Sequence, residues 1–230
     1  SSSSHSSSSH SSSSHSSSSS STSPILIHDI YDLQNMEDDL TARYILANDI
    51  DATPADPNSV NWDENEWPGT VGFRTICLSV GTPFVGSLNG AGYKITGLYV
   101  NNVGKAGLFG FLSSDSLIQN LGFEDANITG TSWATGVLCA TTAGTVLNCY
   151  STGVVDGNTS WSGGLIGDSN GAKIRRCYSS CTVSSLACSG GLVGYFDTAS
   201  VMEDCYARGG VSETSSSPTA VAGGLVGYFN

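Results

Sequence analysis

The stretch SGGLIGDSNGAKIRRCYSSCTVSSLACSGGLVGYF, Ser162 to Phe196, carries one motif twice, GGLIG at 163–167 and GGLVG at 190–194. Reading outward, the motif returns as GVLCA (Gly136 to Ala140) and AGLFG (Ala106 to Gly110) on one side and GGLVG (Gly223 to Gly227) on the other. Its leucines stand at 108, 138, 165, 192 and 225, in steps of 30, 27, 27 and 33 residues. A second mark runs in phase: Leu121 in IQNLGF, Cys149 in VLNCYSTG, Cys177 in IRRCYSSC and Cys205 in VMEDCYARG, at three equal steps of 28. A fixed period of this size identifies a unit that buries its apolar face only by stacking on the next unit.

Each repeat is a series of short β-rich runs broken by Gly, Ser, Asn and Asp, and none holds a 3.6-residue period long enough for a helix. With 28 Gly and 12% charged residues, the composition also opposes a helix-pair repeat. Three strands and three turns fill about 28 residues, and successive coils pair in parallel at roughly 4.8 Å per rung. The fold class is therefore all-β: a parallel β-helix, or β-solenoid, with coils of about 28 residues and an irregular N-terminal cap. Three parts follow: a Ser/His low-complexity segment at 1–23, capping and lead-in coils at 24–104, and the regular repeats at 105–230.

Eight basic residues against twenty acidic ones give a net charge of -12, which opposes nucleic acid or an anionic membrane surface as partner. No apolar run reaches the ~20 residues of a membrane-spanning helix, and no signal peptide opens the numbering, so a secreted chain is expected in mature form. Residues 1–23 lack the apolar surface to fold alone and read as a linker or stalk. His5, His10 and His15 recur in that segment every five residues, a spacing that sets no two imidazoles on one face, so no metal site is expected there.

The quoted motifs resemble the GLUG repeat of bacterial and archaeal surface proteins, found in large adhesins and in some IgA-specific peptidases outside their catalytic domains. The upstream DLQNM, YILANDIDA and PFVGSLNGAGYKITGLYVNN are similar to the segment that commonly precedes those repeats. The resemblance implies a parallel β-helix on a secreted or surface-exposed protein, and it transfers no catalytic residue. The chain departs from the pattern at Val137 and Ala140, and in the acidic insertion from Asp51 to Trp67.

Candidate chemistry is sparse. Leu121, Cys149, Cys177 and Cys205 are expected as a ladder of small buried residues. Cys181 and Cys188 do not recur and are seven residues apart, which allows a local disulfide in an oxidising compartment. Cys77 and Cys139 read as core. The acids Asp49, Asp51, Asp56, Asp63, Glu64 and Glu66 lack the calcium-loop pattern and are interrupted by prolines, so they read as a solvated loop. Trp62 and Trp67 within that loop could present a sugar-binding face or pack onto the cylinder. Asn127 and Asn158 open glycosylation triplets. All four histidines lie at or before residue 28, and the acids beyond residue 105 are sparse, most of them at turns or isolated on strand faces. A polysaccharide-active β-helix enzyme, which needs converging carboxylates, is thus the weakest reading, and the chain is expected to be no enzyme and to hold no catalytic residue, cofactor or metal.

The expected function is an extracellular or cell-surface structural protein whose subunits stack head to tail as a homopolymer. Its assembly edge is expected in Ile25, Leu26 and Ile27 at one end and Leu225, Val226, Tyr228 and Phe229 at the other, where the sequence stops without the strand that follows Phe196 in the preceding coil. The alternative is a repeat module of a large secreted adhesin that presents a surface to a glycan or host partner.

Overall fold

The computed structural model describes residues 23–102, 104–131, 133–158, 161–215 and 220–230; the three histidines of the serine tract lie outside them. The architecture is a parallel β-solenoid, and every pairing between named strands is parallel. One sheet of seven strands runs in order Ile25–Ile27, Arg43–Leu46, Ser87–Asn89, Leu117–Gln119, Thr145–Leu147, Lys173–Arg175 and Val201–Glu203. Thr145 pairs with Leu117 on one side and Lys173 on the other, so the register here advances by 28 residues per coil.

A regular coil has four strand stations rather than the three expected from sequence. The coil beginning at Ala134 passes through Ala134–Gly136, Cys139–Thr142, Thr145–Leu147 and Tyr150–Gly157, which belong to sheets of four, five, seven and nine strands. The glycine-leucine signature is the corner between the first two. At Gly163, Gly190 and Gly223 a Cβ would collide with the carbonyl oxygen three residues on, of Ile166, Val193 and Val226 respectively. Only glycine turns the chain this tightly, and the turn drives the leucine inward: Leu108, Leu138, Leu165 and Leu192 are fully buried. Their amides continue the axial hydrogen-bond ladder, Leu138 N to Leu165 O at 2.9 Å and Leu165 N to Leu192 O at 3.0 Å.

Strand alternation fills the cylinder. Tyr44, Leu88, Ile118, Val146, Ile174 and Met202 form one inward column, and Val100, Ile128, Val155, Val183 and Val211 another. The N-terminal end is closed by a short helix, Ile30–Gln34, N-capped by the Asp29 carboxylate, which accepts from Tyr31 N and Asp32 N. Ile30, Leu33 and the following Met36 are buried under it. The lead-in coils are irregular because Tyr44 pairs with Ile25 and then with Leu88, a step of 44 residues that accommodates the acidic insertion. Pairing nevertheless runs on through residue 104, with Lys94 on Gly122 and Tyr99 on Asn127.

The corner between the seven- and nine-stranded sheets repeats a left-handed residue: Asn120, Asn148, Arg176 and Asp204, with φ of 54°, 52°, 51° and 54°. Asn148 Nδ2 donates to Asn120 Oδ1 at 2.9 Å, so the amides form a short ladder. Arg176 is the misfit, since Asn tolerates this region and long side chains do not. Arg176→Asn is expected to stabilise the fold by about 0.5–1 kcal/mol, raising the melting temperature by roughly 1–4 °C in thermal unfolding. The gain is net of one exposed contact, Arg176 Nε to Asn148 Oδ1 at 2.7 Å.

Candidate functional site

The cysteine column sits just after that corner. Leu121, Cys149 and Cys177 are buried, and Cys205, in the last coil, is half-buried. Each thiol turns back to a carbonyl: Cys149 Sγ to Leu147 O at 3.3 Å, Cys177 Sγ to Arg175 O at 3.2 Å and Cys205 Sγ to Glu203 O at 3.1 Å. The Cys149 thiol beside it, together with burial, pushes Cys177 up to about 12, which leaves it protonated and unreactive at neutral pH. On the outer surface the partner residues stack as rings, Tyr150 on Tyr178 at 5.1 Å and Tyr178 on Tyr206 at 4.9 Å. Tyr150 also donates to Glu124, which pairs with Lys94.

Several expectations need correction. All seven cysteines are free, so the Cys181–Cys188 disulfide is not formed. Cys181 turns to Gly164 O at 3.4 Å, whereas Cys188 lies in the four-stranded sheet, beyond the strand Thr182–Ser185. A strand of this length spans about 13 Å, and a disulfide needs Cα atoms within about 7 Å. Cys77 is half-buried rather than core; Cys139 is fully buried and pairs with Ile166. Trp67 is buried and donates to Gln34 Oε1, and Trp62 donates to Trp67 O, so that loop packs down and offers no aromatic face. The carboxylates of Asp51, Asp56 and Asp63 are taken up by neighbouring amides, and Glu66 pairs with Arg74. Among the described residues no cluster of three or more His, Cys, Asp or Glu could hold a metal.

The residues expected at the assembly edges lie at the ends of two different sheets. Ile25 and Leu26 are exposed while Ile27 is buried, and their strand ends the seven-stranded sheet. The opposite end of that sheet is Val201–Glu203, not Val226–Phe229, which ends the five-stranded sheet. Tyr228 and Phe229 are exposed, and Leu225 and Val226 are partly buried against the core.

Sequence reading missed a concavity on the flank of the solenoid. A groove of about 550 Å³ opens on the outer face of the five-stranded sheet, walled by Trp133, Trp161 and Tyr195 and floored by Phe111, Thr141 and Asp168. Trp133 and Trp161 meet edge-to-face at 5.3 Å, and Trp161 and Tyr195 lie tilted at 4.5 Å. Lys105 reaches in from the preceding coil, its Nζ 4.4 Å from the Phe111 ring centre and 3.1 Å from Thr141 Oγ1. Asp168 is only 7% exposed, and burial pushes its carboxyl up to about 6 against the pull of Lys105; burial likewise lowers Lys105. Asp197 at the rim is spent on its own turn, accepting from Gly171 N and Ser200 Oγ. The available signal was the 28-residue interval between Trp133 and Trp161, one coil apart on the same flank.

Comparison with known proteins gives a similar sequence and a similar fold. The chain is similar to Halomucin. The identity is 37% over 141 residues, and the match covers 59% of this chain and 2% of Halomucin, which comes from Haloquadratum walsbyi. The chain thus spans a small fraction of Halomucin's length. Among solved structures, a putative immunoglobulin A1 protease from Bacteroides ovatus superposes with a TM-score of 0.73 at 22% identity, over 92% of this chain and 63% of that one. No family model matches the chain, so the GLUG resemblance rests on the quoted motifs. The structural likeness establishes the solenoid fold and carries over no functional residue. It does overturn the expectation that the chain is no enzyme: a protein of the same fold bears a protease name, so neither the architecture nor its sparse carboxylates exclude catalysis. Among the described residues no helix is long and apolar enough to cross a membrane.

Proposed function

We propose that the chain is a structural module of an extracellular surface, a stiff solenoid extended by placing one coil on another. The observation that carries this reading is the constant register, in which Leu117–Gln119, Thr145–Leu147, Lys173–Arg175 and Val201–Glu203 are laid on one another in parallel at 28 residues per coil. Among the described residues Val201–Glu203 and Val226–Phe229 pair with the preceding coil, so coils of this chain or of another chain can be added on the same register. A parallel strand edge over an apolar core is a template for a further coil. The kinship with Halomucin, by name a mucin, supports a surface setting, with residues 24–104 as capping and lead-in coils and 105–230 as the regular repeats.

The coil can be continued by another copy of this chain, giving a head-to-tail filament, or by other coils, as in an adhesin module. In the filament version the edge strand Ile25–Ile27 pairs with Val201–Glu203 of the next subunit, since both terminate the same sheet among the described residues; such a heterologous contact propagates without closing.

Gly224 supplies the test. Gly164 and Gly191 cannot accept a Cβ because the following coil and Ser179 or Ala207 crowd them, whereas nothing lies within 4 Å of a Cβ at Gly224. Gly224→Arg is expected to leave the melting temperature within about 2 °C and to abolish concentration-dependent fibres seen by electron microscopy and sedimentation. A wild-type chain that stays a monodisperse monomer at high concentration rules out the filament version and leaves the adhesin module.

A further inference from the structure

The groove beside Trp133 and Trp161 has no part in coil stacking, because it opens on the flank of the cylinder rather than on its end. Its volume lies within the range of small-ligand sites, and its walls are aromatic with a few convergent polar groups. The class of ligand follows from the spacing of the rings and from the charges already in place.

The rings do not form a cage. At 5.3 and 4.5 Å between centres they pack against one another and leave no slot into which an alkylammonium group could insert. The site over the aromatic faces is moreover occupied by the chain's own cation, since Lys105 Nζ lies 4.4 Å from the centre of Phe111 and 5.9 Å from that of Trp133. A cationic ligand would therefore meet Lys105. An anionic ligand would meet Asp168 and Asp197, on a chain whose net charge is -12.

What fits is an uncharged molecule with an apolar face and many hydroxyls. Trp133, 56% exposed and braced edge-to-face by Trp161, offers a ring for the C–H face of a pyranose, with Tyr195 packed behind Trp161. Lys105 supplies donors and Asp168 an acceptor at the floor. Asp168 is more than nine-tenths buried in the groove, where Lys105 is the cation that acts on its carboxyl. Burying such a group is costly unless something pairs with it.

We propose that this groove binds a neutral saccharide, with one pyranose ring stacked on Trp133 and its hydroxyls held by Asp168 and Lys105. The inference rests on side chains of the flank and stands whether or not the chain assembles.

The experiment uses the full chain. It is screened against an array of neutral oligosaccharides, then titrated calorimetrically with maltotriose, mannotriose and chitotriose, with choline chloride and sialyllactose as comparison ligands. Saturable binding of a neutral oligosaccharide is expected. Trp133→Ala and Asp168→Asn should each weaken it at least about tenfold. Trp133 is 56% exposed and the Asn variant is nearly isosteric, so both should melt with the wild type. The proposal is overturned if no neutral oligosaccharide binds, if choline or sialyllactose binds instead, or if both variants bind like the wild type.

Discussion

Replacing Cys177 with aspartate is expected to lower stability by about 3–5 kcal/mol, the cost of an uncompensated buried charge. The site is worse for a carboxylate than burial alone implies. The Cys177 sulfur faces two carbonyl oxygens, Arg175 O at 3.2 Å and Val146 O at 3.6 Å, to which a thiol donates weakly. A carboxylate there meets only acceptors, with Cys149 and Cys205 above and below it in the column. The measurement is thermal unfolding by circular dichroism, where a fall of roughly 10 °C or more corresponds to that cost. Cys205→Asp, in the half-buried last coil, should cost distinctly less. Equal effects at both positions would be incompatible with a column whose inner members are sealed by the next coil.

Gly190→Val is expected to cost about 3 kcal/mol, at the upper end of the usual overpacking range. A Cβ at this position would overlap Val193 O and stand 2.6 Å from Gly227 N, both of them backbone. No rotamer relieves such a clash; the corner itself must open, and Leu192 would then be drawn out of the core. Urea denaturation provides the measurement, with Gly210→Ala as the control, since nothing lies within 4 Å of a Cβ there. The control should remain within about 0.5 kcal/mol of the wild type. A valine variant as stable as the control would mean that the signature glycines are not corner residues.

The fold could be read from sequence because the repeat is its own register. Two motifs in constant phase determine which residues stack, and Thr145 with Lys173 or Cys139 with Ile166 pair at the intervals the motifs mark. The corner was less visible. Gly-Gly-Leu looks like the middle of an apolar run, and only the close approach of Gly190 to Val193 O shows why one strand becomes two. The groove was legible least of all. The groove is assembled across coils: Phe111 and Asp168 share the five-stranded sheet two coils apart, Lys105 precedes the first of them, and Trp133 has a left-handed backbone at φ 54°, a choice that no local pattern announces. The disulfide expectation failed for a related reason. Separation along the chain counts residues, whereas a solenoid spends those residues crossing its own cross-section.

With all seven thiols unpaired, no covalent bond ties one coil to the next beyond the single thread of the backbone. The hydrogen bonds between coils run along the cylinder axis, so a pull on its two ends loads them directly and in series. Under tension such a stack would give way one coil at a time, each step paying out about 28 residues, or roughly 100 Å of slack. On a surface exposed to shear, that sequence of small yields would absorb load while the remaining coils stay folded.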